Sequence, residues 1–530
     1  MSASVAAAPQ FFESRTLRIG ILVVLLAAGL GIRLFDLTDL PLDFHPTRQL
    51  LSAIKARGMY YQHLAVAPEW QRDFAIREWG LRAHVEPEVF ERLVAITYRA
   101  TGEHVWVARI YSSVFWTLGA LFLFSLARRL VSHDGALVTT TVYLLLPYGV
   151  TASRSFQPDP LMVVLVIVFS WALVRWADSA WASERATNAR PSTRPGDRKA
   201  PAGSLFFATL AGLVGGVAIL IKLVAVFFII PVAGATLLGR ERIRSLVRRP
   251  ELWLMVILGA LPAALYLIYG ILYAGFLGQQ FEGRFFPALL VSPSYYAGWI
   301  NVLNLVVGPS AVLLGLLGIL VSPNRLAARL LIALWFGYLL YGLFFNYHIS
   351  THDYYSLILV PIVSLSLAPL GAGLLSILAA RASRPGPRAA SLAVMGITFV
   401  LILVGLRQQL SRVDFHPDAE MWREIGETLG PEARVLALTQ DYGMRLIYWG
   451  WLAPTPWPSA SDLRYHALRG ASRRFESEFA RLSRNRDYFL VTDFDELARQ
   501  PDLAAKLGEF DVVAERPRYV ILDLSPRGAE

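Results

Sequence analysis

The sequence predicts a polytopic α-helical membrane protein with a small α/β domain at its C-terminal end. Three observations carry this. Of 530 residues, 55% are hydrophobic and the mean hydropathy is +0.46, with apolar windows about as long as the ~18 to 20 residues that cross ~30 Å of hydrocarbon as helix. Arginines crowd alternate connecting loops. From about residue 412 the composition turns to that of a soluble domain.

Eleven windows read as spans, near 18–37, 105–127, 135–152, 160–177, 204–221, 223–239, 251–275, 300–321, 328–346, 355–379 and 389–408. The apolar stretch of the first leads into Arg33, Leu34 and Phe35 rather than a small-residue cleavage site, which predicts an uncleaved helix. Arginine clusters near 15–18, 128–129, 175–199, 240–249, 325–329 and 381–388 fall in alternate loops. The positive-inside rule makes that face cytoplasmic, with a cytoplasmic N-terminus and residues from 409 onward outside. A net charge of +10 is therefore a statement of topology, and nucleic acid is not an expected partner. Cysteine is absent, which excludes disulfides, thiolate metal sites and a cysteine nucleophile. This arginine-rich, cysteine-free composition fits a bacterial cytoplasmic membrane.

The expected domains are a transmembrane domain over 1–411, including an extracytoplasmic loop 38–104, and an extracytoplasmic α/β domain over 412–530. In the loop, Leu50, Leu51, Ile54 and Met59 fall roughly on one helix side, and Val89, Leu93, Ile96 and Thr97 repeat the pattern. Both predict amphipathic helices lying on the outer surface. Residues 178–203 read as a polar cytoplasmic linker. In the C-terminal domain, 434–438, 488–492 and 519–522 read as strands, with helices over 418–429 and 470–483. Asp43-Phe44-His45-Pro46 recurs as Asp414-Phe415-His416-Pro417. A chain this long offers about one such match by chance, and no fixed period marks a true repeat.

The face opposite the arginine loops collects Asp43, His45, Arg154, Asp159, Lys222, Arg284, His352 and Asp353. Ionisable groups gathered where spans emerge suit a charged lipid head group. Asp43 is either a general base at the interface or the N-cap of a helix starting near Pro46. Arg154 and Asp159 bracket an external turn; each also has an ordinary reading, as an interfacial arginine and a helix start before Pro160. Lys222 stands between two apolar runs on the side the orientation rule disfavours for lysine, which points to an anion. The stretch Tyr347-His348-Ile349-Ser350-Thr351-His352-Asp353-Tyr354-Tyr355 offers hydrogen bonds to phosphate or sugar, or a metal site. Charges at helix ends on one face favour interfacial chemistry over a transporter or flippase, whose binding groups sit near the midplane within repeated halves. A catalytically inactive scaffold is the remaining alternative.

These residues resemble the GT-C membrane glycosyltransferases, in particular glycosyltransferase family 39, which includes protein O-mannosyltransferases and aminoarabinose transferases. The resemblance lies in Asp43 after the first helix, the Arg154/Asp159 pair, Lys222, and His352-Asp353-Tyr354-Tyr355 with Pro361. The family's usual Asp-Glu is here Asp43 followed by Phe44 and His45, and around Lys222 the lysine alone matches. The resemblance implies inverting transfer of a sugar from a polyprenyl-phosphate donor to a protein, lipid or glycan acceptor at the extracytoplasmic face. It implies Asp43 and Asp159 as catalytic residues, Arg154, Lys222, Arg284 and His352 on the donor phosphate, and His45, His348, Asp353, Tyr354 and Tyr355 at the sugar. Phe285, Phe286, Tyr295 and Tyr296 would line a groove. No cofactor is demanded, although Asp43, His45 and Asp159 could share a divalent cation.

Overall fold

The computed structural model describes residues 9–83, 86–188, 202–237, 246–277, 284–381, 385–470 and 474–525. All eleven windows coincide with helix. Among the described residues, eight helices are long and apolar enough to cross a membrane. The chain is a multi-pass membrane protein. Of the other three windows two are interrupted, each with a chemical cause, and one is short. Window 135–152 splits into His133–Leu145 and Pro147–Ala152, because Pro147 lacks the N–H that would continue the helix. Window 300–321 spans the break in a pair, Pro293–Val306 and Pro309–Leu320, bent by 88° across Gly308, whose φ is +82°. Counted as one span, the pair raises the total to nine. Window 223–239 is a shorter apolar helix, Leu223–Leu237.

The expected linker is helical at its start. The helix that begins at Asp159 runs on to Asn188, and 189–201 lie outside the described residues. So do residues 240–245 of one arginine loop and 382–384 of another.

The chain divides into two compact units: Met1–Leu37, His84–Val89 and Ala108–Arg412 in one, and Thr38–Ala83, Phe90–Val107 and Val413–Glu530 in the other. Most of the first long loop thus groups with the C-terminal residues, where the sequence reading placed it with the spans.

In the first unit, helix Ala202–Ile221 packs closely on Pro250–Ile268. Gly216 makes this possible: a Cβ there would lie 2.2 Å from the Leu258 carbonyl oxygen. Small residues that let backbones approach are a usual basis of helix association in lipid.

In the second unit, α1 (Pro46–Tyr61), α2 (Glu69–Gly80) and α3 (Val89–Thr101) come from the loop. The expectation of surface-lying helices is overturned for α1, which is buried from Ser52 through Met59 without interruption. Its charges are buried with partners: Lys55 Nζ donates to the Ala83 carbonyl at 2.8 Å, and Arg57 Nε to Glu103 at 2.8 Å. Arg57 also lies 3.7 Å above the Tyr448 ring and 4.5 Å above that of Trp451. Amphipathic spacing alone cannot separate a helix on a bilayer from one packed into a domain.

The C-terminal residues form a five-stranded sheet in the order β2-β1-β3-β5-β4. The strands are β1 (Val435–Leu438), β2 (Thr455–Pro456), β3 (Tyr488–Val491), β4 (Asp511–Arg516) and β5 (Tyr519–Asp523). β1 pairs in parallel with β2 and β3, whereas β5 is antiparallel to β3 and β4. Leu436, Leu438, Trp457, Phe489, Val491, Leu503 and Leu522 make the core. The three expected strands are β1, β3 and β5. β2 is two residues long and β4 is a largely exposed edge carrying Asp511, Glu515 and Arg516, so neither gives a strong apolar signal.

Candidate active site

Lys222 and Asp159 are the centre of the first unit's polar site. Helix Ala202–Ile221 ends where Lys222 turns extended, at φ −152° and ψ 113°. Its N–H still donates to Ala218 O and its carbonyl accepts from Ala225 N, each at 3.0 Å. The break therefore leaves that backbone paired while turning the side chain. Asp159 opens the helix Asp159–Asn188, where the positive end of the helix dipole favours a carboxylate. Lys222 Nζ meets Asp159 Oδ1 at 2.5 Å, and both residues are buried. The ammonium also sits 5.4 Å from the Tyr354 ring centre and 4.9 Å from that of Tyr355, a cation–π arrangement. Asp159 Oδ2 is buried and has no hydrogen-bond partner among the described residues.

A second cation stands near. Arg284 Nη1 is 3.5 Å from His348 Nε2. His348 packs against His352, with ring centres 5.8 Å apart, and against Tyr355 at 5.4 Å. Thr351 Oγ1 lies 2.7 Å from His352 Nδ1, and Asp353 opens the short turn that carries Tyr354 and Tyr355. Burial, reinforced by the charges of Arg284, His352 and Lys222, pushes the His348 imidazole down to about 3. Arginine only donates, so neutral His348 presents its Nε2 lone pair to Arg284 and carries its proton on Nδ1. That Nδ1 is buried with no partner among the described residues.

The depressed His348 value has a consequence for stability. Below the unfolded pKa of about 6.5 the unfolded chain binds a proton that the native chain refuses, so stability falls with pH from there toward 3. The slope from this group is at most about 1.4 kcal/mol per pH unit. Melting of the detergent-solubilised protein from about pH 6.5 to 4 should show it, and His348→Gln should flatten it. Equal slopes in the two proteins would remove His348 as the source.

A cavity of about 100 Å³ joins the two cations. Lys222, Arg284, Tyr355 and Glu86 give it polar groups, while Leu220 and Ala263 are among its apolar walls. Glu86 escaped the sequence reading; Glu86-Pro87-Glu88, two acids just before an apolar helix, was the available signal. Gln157 lies two residues before Asp159. It is fully buried, with neither side-chain polar atom hydrogen-bonded among the described residues.

Arg154 binds the backbone through two of its nitrogens. Its Nη1 and Nη2 donate to the carbonyls of Phe35 and Asp36 at 2.8 and 2.9 Å, and Arg109 adds longer bonds to Asp36 and Leu37. The two arginines thus tie down the chain where the first helix, Arg15–Leu34, ends. Arg154→Ala is expected to cost about 3 kcal/mol of stability from lost charged hydrogen bonds, with donor affinity per folded molecule unchanged. Thermal melting beside a binding titration checks both. Tyr295 is likewise structural, buried with its hydroxyl on Gly342 O at 3.0 Å. The Phe286 backbone is held by Asn346 through bonds of 3.2 and 2.8 Å, while Phe285 and Tyr296 are exposed.

Asp43 and His45 belong to the second unit. His45, at φ +44°, is the N-cap of α1 and makes no side-chain cap bond. The N-cap reading of Asp43 therefore fails. Asp43 is half-buried, and its Oδ1 accepts from Gln49 Nε2 at 3.2 Å.

Residues 85–183 match the family model described as dolichyl-phosphate-mannose-protein mannosyltransferase. The whole chain is similar in structure to ArnT from Cupriavidus metallidurans bound to undecaprenyl phosphate, with TM-score 0.55, 16% identity, and coverage of 96% of this chain and 97% of that one. The apo form gives 0.54 and 15% over the same shares. The oligosaccharyltransferase AglB from Archaeoglobus fulgidus, in complex with an inhibitory peptide and a dolichol-phosphate, gives 0.51 at 12% identity, covering 91% of this chain and 70% of that one. The chain has the GT-C fold. No curated protein matches it in sequence.

Within this GT-C fold, the sequence-predicted residues Asp159, Lys222, Tyr354 and Tyr355 come together, as do Arg284, His348 and His352. Among the described residues, one group of carboxylates and histidines brings its ligand atoms within 4.8 Å of one another: Asp39, Asp414 and His416. Asp43, His45 and Asp159, which the sequence leaves able to share an ion, are not in it.

Proposed function

We propose that the protein is an inverting glycosyltransferase that takes a sugar from a polyprenyl-phosphate donor and passes it to a protein, lipid or glycan acceptor. The observation that carries this is the cavity in which Lys222 and Arg284 meet apolar helix walls. A lipid-linked phosphate asks for that combination: fixed cations for the head and hydrocarbon for the tail. The GT-C fold, shared with a protein bound to undecaprenyl phosphate, supports the same donor class.

In this reading Asp43 takes the proton of the acceptor hydroxyl as its oxygen attacks the anomeric carbon. The bond from that carbon to the phosphate oxygen breaks with inversion, and polyprenyl phosphate leaves carrying both electrons. Lys222 and Arg284 stabilise the charge growing on the phosphate, and do so more strongly in a site shielded from water. Asp159 holds the Lys222 ammonium in place. The Nδ1–H of His348 and the groups of Asp159 and Gln157 left unpartnered among the described residues offer hydrogen bonds to the sugar. His352, Asp353, Tyr354 and Tyr355 border the same site, and His45 flanks the base. The reaction takes place at the extracytoplasmic face of a bacterial cytoplasmic membrane, opposite the arginine-rich loops, with the N-terminus inside.

The test is release of free undecaprenyl phosphate by the purified protein, from a panel of undecaprenyl-phosphate sugars offered with lipid, peptide and glycan acceptors. Release from one donor establishes the class. Tight donor binding without release from any of them would defeat the enzyme reading and favour a flippase or scaffold.

A further inference from the structure

We propose that Thr47 and Asp441 are positioning residues, whose hydrogen bond ties the Asp43 loop to the C-terminal sheet domain and holds the base at its working place. The inference rests on the reading of Asp43 as the base; the observations beneath it lie wholly within the second unit.

The segment that carries Asp43 is fastened on both sides. Before it, Asp39 Oδ1 accepts from the Phe415 backbone N–H at 3.0 Å, and His416 Nδ1 stands 3.5 Å from the same oxygen. After it, Thr47 Oγ1 donates to Asp441 Oδ1 at 3.0 Å. Between the two, fully buried Gln49 reaches back to donate to Asp43 Oδ1 at 3.2 Å and to the Phe44 carbonyl at 2.7 Å. Asp43 thus sits on a short span clamped on either side by residues far along the chain.

The anchor at Asp441 is built with care. Asp441, Tyr442 and Gly443 follow β1 with φ of +62°, +58° and +76°. Consecutive left-handed residues other than glycine persist where surrounding contacts over-determine them. Here the contacts are visible. Arg445 Nε binds Asp441 Oδ2 at 2.5 Å, Arg445 Nη1 binds Asp418 Oδ2 at 2.7 Å, and Arg518 pairs with Asp418. Asp441 therefore has one oxygen fixed by its own domain and the other turned to Thr47. Farther along α1, the Arg57 guanidinium donates to the Tyr448 carbonyl at 2.5 Å and to Glu103, and Tyr448 OH donates to the same Glu103 oxygen at 2.7 Å. With α1 seated by Arg57, the Thr47 bond ties its first turn to Asp441.

The two Asp-Phe-His-Pro stretches, though a chance match in sequence, share a local geometry. Each copy opens a helix with proline in its first turn. The residues that follow the two prolines, Thr47 and Asp418, are linked through Asp441 and Arg445.

The test compares Thr47→Val, which keeps the side-chain volume but cannot donate, with Thr47→Ser, which can. With the undecaprenyl-phosphate sugar that the wild type uses, Thr47→Val should lower kcat about 10- to 100-fold per donor-binding molecule, the scale expected of a misplaced catalytic group. The donor KM should not move, and Thr47→Ser should restore most of the rate. Hydrogen–deuterium exchange over residues 39–50 should quicken in Thr47→Val and return in Thr47→Ser. Wild-type kcat in Thr47→Val, with Asp43→Asn inactive, overturns the positioning role alone. Full turnover in Asp43→Asn overturns the reading of the base, and this proposal with it. A Thr47→Ser protein as slow as Thr47→Val also overturns the proposal.

Discussion

Asp43→Asn is expected to lower turnover by about 10²- to 10⁴-fold, the usual contribution of a positioned general base. Donor binding should stay close to wild type. The amide can still accept the Gln49 hydrogen bond seen at 3.2 Å, so the loop keeps its anchor while the proton acceptor is lost. Loss of kcat at constant donor KM is the signature of a group that acts only in the transition state. Measured as undecaprenyl phosphate released per donor-binding molecule, the result separates chemistry from folding. Equal release by both proteins would keep the transferase and remove Asp43 from its mechanism.

The second large effect is expected at Lys222, where stability and binding can be pulled apart. Lys222→Met leaves the buried Asp159 carboxylate without its cation, and breaking one side of a buried pair costs about 3–5 kcal/mol. The same change removes a cation from the cavity, so donor affinity should fall as well. Asp159→Asn added to Lys222→Met takes away the stranded charge. Replacing both partners of a buried pair is often neutral. The double variant should therefore recover most of the melting temperature and none of the donor affinity. Recovery of both would make Lys222 a structural residue whose business is Asp159. Recovery of neither would mean that the lysine holds more of the site than its pair with Asp159.

The membrane architecture was legible because hydropathy is a local property: every apolar window became helix. Where windows broke, the cause was a proline or glycine that hydropathy averages away. The members of the candidate site stand out from sequence one by one, but not as pairs. Lys222 stood out as a lone charge between apolar runs and Asp159 as a helix start, yet their ion pair spans 63 positions and nothing in either neighbourhood announces it. Arg154 shows the opposite case. An arginine near a helix end reads as a ligand group from sequence, and the two carbonyls it also binds, over a hundred residues earlier, leave no pattern at all. α1 was misread for a similar reason. Lys55 and Arg57 look like solvent-facing charges until Ala83, Glu103 and Tyr448 are brought to them by the fold.

The composition of the second unit governs the order in which the protein can be made. Thr38–Ala83 emerges early from the ribosome, while its companions in Val413–Glu530 follow some three hundred residues later. Chains grow at roughly 5–20 residues per second, so the first segment waits on the order of tens of seconds, with nearly all the membrane helices inserted in between. During that wait the face of α1 that will meet Tyr448 is uncovered, and Arg57 lacks that partner. Such a segment invites proteases and chaperones alike, and docking of the last-made strands and helices ends the exposure. Seating of the Asp43 loop is then among the final events of biosynthesis, after the spans are in place.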